Sequence, residues 1–159
     1  MDRLQQGEIL GRLFSAESRV LEHCKSPDTV GPRSWDHWSA PVLLERVAYL
    51  RKLARFGDGT ANEELRAFPG HSAMLSVRLR SGTVETSEEF AQLFIVLEGR
   101  ATMIRGDQIG DSAISGGCRQ ELRAGDVVHI AAGTPYEIML TGDKTLSCLV
   151  IRIKETEEF

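Results

Sequence analysis

The sequence predicts a mainly β protein built on one small antiparallel barrel. Three observations carry that reading. Short strand-like runs recur from residue 72 to residue 154, joined by loops rich in Gly, Asp, Ser and Thr, with no helical period between them. Gln92-Leu-Phe-Ile-Val-Leu-Glu-Gly99 is a strong strand that ends on a glycine turn. Gly125 to Glu137 answers it with a Gly-Asp turn, the apolar run Val127 to Ala131, and a bend at Gly133-Thr134-Pro135 that presents Tyr136.

The N-terminal third follows a different period. Ile9, Leu10, Leu13, Phe14, Val20, Leu21 and Cys24 fall along one face of a helix over 7–24, which Pro27 stops. Residues 25–40 are irregular and carry Trp35 and Trp38. These tryptophans either contact a second subunit or close the core at the domain edge. Pro41 suits a first helical position. Leu43, Val47, Leu50 and Ala54 then form the stripe of a second helix over 41–56, with Gly57 as its cap. Arg46, Arg51, Lys52 and Arg55 read as a solvated face, with phosphate binding as the alternative. Asn62 to Leu65 reads as one more helical turn. Residues 1–66 are therefore expected to be a helical extension and 67–159 the barrel, within one structural domain overall.

Strands are expected at 72–80, 92–98, 101–105, 118–122, 127–131, 136–140 and 145–154. In the second of these, Gln92, Phe94 and Val96 share one face, and Leu93, Ile95 and Leu97 the other. Both faces are apolar, so both must be covered. The helices or a partner chain must cover the outer one, and a homodimer is expected. In the first strand Ala73, Leu75, Val77 and Leu79 alternate with Ser76, Arg78 and Arg80. The arginines read as a solvated or rim-facing set. If that face turns inward, Arg78 becomes a binder of anions or carboxylates. Gly106 to Gly117 reads as a polar loop.

Bulk properties bound the function. The 159-residue chain is 42% hydrophobic and 26% charged, with net charge −4 and a pI near 5.6. That is an ordinary globular composition. It carries no basic footprint, so no nucleic-acid partner is expected. The apolar runs are too short to span a membrane, and the N-terminus lacks a signal-peptide layout. A cytoplasmic location is expected. Cys24, Cys118 and Cys148 read as scattered reduced thiols. Among the histidines, His23, His37 and His71 read as surface or packing residues. His129 lies in the strand before Gly133 and either serves structure or faces the barrel interior.

Two motifs carry a family resemblance. Gln92 to Gly99, ending Val-Leu-Glu-Gly and followed by Arg-Ala-Thr-Met, resembles the first motif of the cupin superfamily. Gly125-Asp126, Ile130 and Gly133-Thr134-Pro135 resemble the second. The resemblance covers roughly residues 70–154 and implies a double-stranded β-helix (jelly-roll) barrel. In metal-binding cupins the first motif supplies two histidines and a glutamate, and the second a third histidine. Carried over residue by residue, the glutamate position is Gln92, the second histidine Ser87 and the first Glu85. One spacing variant moves the histidine positions to Glu88 and Thr86. The second motif's histidine falls on Tyr136. None of the four usual ligands is present, so no tightly bound transition metal and no other cofactor are expected, with a divalent metal as the alternative.

The expected interior is a polar cluster of Glu85, Ser87, Gln92 and Tyr136, walled by Phe94, Val96, Met103 and Met139. Such a site suits a small polar or carboxylated molecule. The leading expectation is a metal-independent sensor or carrier binding through Glu85, Ser87, Gln92, Phe94, Tyr136 and Arg78. The first alternative is an isomerase, epimerase, lyase or dioxygenase using Tyr136, Glu85 and His129. The second is a structural dimerisation module.

Overall fold

The computed structural model describes residues 36–109 and 113–155. The helix expected over 7–24, with His23 and Cys24, and Trp35 lie outside the described residues. The contact pattern divides the chain between Val42 and Leu43, and the second unit carries the barrel.

Helix α1 spans Ala40–Phe56. Pro41 sits in its first turn, where a missing N–H costs nothing. Leu43, Val47, Leu50 and Ala54 are buried at helical spacing, as expected. The helix stops where Gly57 and Gly59 donate their N–H groups to the Ala54 carbonyl. The Asp58 carboxylate accepts from Thr60 N at 3.0 Å and from Thr60 Oγ1 at 2.9 Å. Those bonds hold its pKa below the usual carboxylate value.

The helical turn expected at Asn62–Leu65 is instead strand. β1 (Thr60–Ala67) pairs antiparallel with β2 (His71–Arg78), from Thr60 opposite Arg78 to Ala67 opposite Ser72. Glu and Leu favour helix locally, but the ladder with β2 satisfies every second backbone group and overrides that preference. The sheet thus begins at Thr60, and a boundary at residue 66 cuts a paired strand. Arg46 of α1 clasps Glu63 of β1 with contacts of 2.7 and 3.1 Å, and Arg51 pairs with Glu98. These two arginines are therefore structural clasps, not a free basic face.

β3 (Phe90–Ile109) is one strand where two were expected. Its first half pairs with β7 (Leu146–Lys154) and β5 (Val127–Ile130). Its second half pairs with β4 (Ala113–Arg123) and β6 (Tyr136–Met139). A register shift between Val96 and Glu98, followed by Gly99 at φ +95°, bends the strand from one sheet into the other. Most of the loop expected at 106–117 is ladder of the β3–β4 hairpin. The sheet order is β1-β2-β7-β3-β4, with β5 and β6 both on β3. The result is a mainly β jelly-roll barrel with a helix outside it.

The interior is filled by Phe94, Val96, Met103, Leu122, Ile138 and Leu146 with their neighbours. Met139 was expected there, but register places Met103 opposite Ile138 and Thr102 opposite Met139. Ile138 is the wall residue. Ala73, Leu75 and Val77 point the other way and are buried outside the barrel. The ion pairs of Arg46 and Arg51 tie the helix to Glu63 of β1 and Glu98 of β3, and its apolar stripe is buried. Burial of such stripes is what stabilises short amphipathic helices.

Candidate functional site

β2 turns its Met74, Ser76 and Arg78 face inward: Met74 packs on the interior cluster, and Ser76 lies opposite Cys148. Arg78 follows on the same face and is 13% exposed. The inward alternative is the one the structure adopts, and the reason lies on the other face. Ala73, Leu75 and Val77 are more apolar than the arginine face and are buried on the outer side of the strand. Arg78 then needs a counter-charge. Its Nη2 reaches the Glu85 carboxylate at 2.7 and 3.0 Å.

Glu85 is held by backbone. Its N–H donates to the Tyr136 carbonyl at 2.8 Å, and the Tyr136 N–H donates back at 3.0 Å. The bend before Tyr136 is braced too. Gly133 N donates to the Ser87 carbonyl at 2.8 Å. Gly125 N and the Asp126 carbonyl bond Val96 from both sides, tying the second turn motif to β3.

Tyr136 is 4% exposed. Its hydroxyl donates to Gln92 Oε1 at 3.0 Å. Its ring meets Phe94 edge to face, with centroids 5.7 Å apart. Burial, and then the charge of Glu85, push its pKa far above the ordinary phenol value. It is a neutral phenol across the physiological range.

These groups border a cavity of about 640 Å³ lined by Val84 to Phe90, Gln92, Tyr136 and Arg152. Glu85, Ser87, Gln92 and Tyr136 come together as expected, with Phe94 and Arg78 directly behind them. His129 does not join them. It pairs with Leu93 on the outward face of the sheet and is exposed. The strand's period of two puts Val128 and Ile130 together on the inner face and His129 on the outer one. The acid–base candidates reduce to Tyr136 and Glu85. Sequence reasoning missed Arg152, which lines the cavity between Ser72 and Gln92 of the flanking strands. The period of two along β7 from Cys148 and Val150 was the available signal.

Cys148 is buried beneath Arg78, opposite Ser76 and Val96. Burial pushes its thiol from 9.0 up to about 12, against the lowering pull of Arg78. The folded state thus favours the protonated thiol. Its contribution to stability is intact below about pH 9 and is lost as pH rises from there towards 12. Iodoacetamide at pH 8, followed by peptide mass spectrometry, is expected to label exposed Cys118 quickly and Cys148 only in denaturant. Equal labelling rates in the native state contradict this.

The cupin domain family matches residues 77–152, from the end of β2 to Arg152. The strands of that match close the jelly-roll barrel just described. This stretch of the chain is a cupin domain. Its cupin barrel is similar to a cupin superfamily protein from Desulfitobacterium hafniense, with TM-score 0.50 and 16% identity over 78% of this chain and 94% of that one. It is similar to a protein from Neisseria meningitidis, with TM-score 0.52 and 12% identity over 70% and 96%. It is also similar to HppE in its Fe(II) form, with TM-score 0.51 and 14% identity over 60% and 51%. The chain spans 51% of that HppE and 61% of the Cnp3 cupin domain from Schizosaccharomyces pombe, less than two thirds of each. No curated protein sequence matches the chain. At these identities the likeness concerns the fold.

Many cupins hold a metal, and the residues here do not fit one. The four carried-over positions supply an amide, a hydroxyl, a protonated phenol and one carboxylate. That carboxylate is already paired with the Arg78 guanidinium, and the amide oxygen already accepts from Tyr136. A cation placed there meets a fixed positive charge and no imidazole. Among the described residues no three His, Cys, Asp or Glu side chains cluster as ligands. No described helix is long and apolar enough to cross a membrane.

Proposed function

We propose that this cupin is a metal-independent binder of a small polar or carboxylated molecule, acting as a sensor or carrier. The observation that carries the reading is the replacement of the ligand set by two internally satisfied pairs, Arg78–Glu85 and Tyr136–Gln92, at the wall of an open cavity of about 640 Å³. Paired groups of this kind hold their geometry without a metal and leave second lone pairs and N–H groups for a ligand. The volume falls within the range of small-molecule sites.

The test is a metabolite library scored by melting temperature, with Tyr136→Phe as the cavity control. Hits are expected whose affinity, read from the dose dependence of the melting temperature, falls in Tyr136→Phe by a factor of about 5, the loss of one hydrogen bond near 1 kcal/mol. An absence of hits at millimolar concentration overturns the reading. Stoichiometric Fe, Mn, Ni or Zn in protein purified without chelators also overturns it.

A further inference from the structure

Arg152 is half-buried and lacks the acceptor that a shielded arginine Nε normally has. It faces inward between Ser72 of β2 and Gln92 of β3. Its guanidinium lies 4.4 Å above the centre of the Phe90 ring. The ring covers one face of the guanidinium, but its donors lie in the plane and need acceptors. Its buried Nε has no hydrogen-bond partner. No carboxylate among the described residues forms an ion pair with it. Glu85, which lines the same cavity, is held by Arg78. A buried donor left unsatisfied keeps the full cost of losing its water. A protein that keeps one at a cavity wall recovers that cost when a ligand supplies the acceptor.

We infer that Arg152 anchors the cavity's ligand and that this ligand is a small organic monocarboxylate. The inference rests on the binding reading above and narrows it. The guanidinium's planar fork of N–H donors matches a carboxylate. The cavity is far larger than an inorganic anion needs, and Val84 and Phe90 give it apolar wall. Glu88 and Glu89 also line it, both exposed. They repel a second carboxylate or a phosphate dianion, while an uncharged or ammonium-bearing tail passes them. One carboxylate on Arg152 therefore fits, and a dianion does not.

The experiment uses the full chain, labelled with ¹⁵N, and four probes of similar size: butyrate, 4-aminobutyrate, succinate and butylamine. Ionic strength is held constant. Butyrate and 4-aminobutyrate are expected to move the Arg152 Nε–Hε resonance saturably. Butylamine leaves it in place, and succinate binds about tenfold more weakly than butyrate. Arg152→Met is expected to weaken butyrate at least about tenfold, with Arg152→Lys in between, because the ammonium lacks the fork. The Arg152→Met melting temperature stays level or rises, since an unpaired buried donor has gone. A purely structural arginine gives the opposite shift.

Equal butyrate affinity in Arg152→Met overturns the inference, as does butylamine or succinate binding more tightly than butyrate. If Arg152→Met does not fold, the resonance shifts of the parent protein and the Arg152→Lys affinities decide alone. Cavity-dependent binding of neutral or cationic metabolites, unchanged in the Arg152 variants, sinks the monocarboxylate and leaves the pocket standing. Silence from the four probes and from the metabolite library sinks both.

Discussion

Gly99→Ala is expected to unfold the barrel or to cost on the order of 3 kcal/mol or more. Two effects combine there. Gly99 sits at φ +95°, a conformation L side chains rarely adopt. A Cβ at this position also overlaps the Thr145 carbonyl oxygen, which is backbone and cannot swing aside. That carbonyl accepts from Arg100 N at 3.1 Å, so it is pinned at the point where β3 crosses between sheets. Moving it disturbs β3 and β7 together. For a chain of this size, 3 kcal/mol corresponds to a fall of about 10 °C in melting temperature. Gly70→Ala is the control, because nothing lies within 4 Å of a Cβ there. The account fails if Gly99→Ala melts with the parent protein, or if both variants fall equally.

Arg78→Met is the second large effect, expected at about 2–3 kcal/mol. It leaves the Glu85 carboxylate uncompensated beside the buried Tyr136. The arginine side chain is 13% exposed and the glutamate 39%, so water screens part of the loss. Glu85→Gln alone leaves the guanidinium unpaired and costs a similar amount. The double variant is expected to recover about 1–2 kcal/mol of the summed losses, since two neutral groups need no counter-charge. Urea unfolding of the four proteins gives the coupling. Additive single losses would show that the pair carries no mutual energy.

The barrel and its glycine turns were legible along the chain because they are written in local chemistry. Alternation over 92–98 placed Gln92, Phe94 and Val96 on the inner face. The bend at Gly133 to Pro135 placed Tyr136 beside them. What failed was non-local. Asn62 to Leu65 carries helix-favouring residues, and only the ladder from β2 makes it a strand. His129 looked available until pairing with Leu93 turned it outward. Arg78 was readable as rim or interior, and the choice fell with the burial of Ala73, Leu75 and Val77 on the other face. Arg152 lay in a strand whose faces had no reference until Gln92 stood opposite it.

By itself the amino-acid order determined a β-shell of the cupin kind, the places where it turns, and the chemical identity of the groups at the positions that hold a metal in metal-binding cupins. Period two, glycine at positive φ and side-chain donor chemistry are properties of neighbouring residues, so a linear reading reaches them. Only the folded chain decided which arginines face inward, which carboxylate each one holds, and that Arg152 Nε meets no acceptor. Those facts depend on register between strands far apart in the chain. A shift of one residue there sends every side chain to the opposite face.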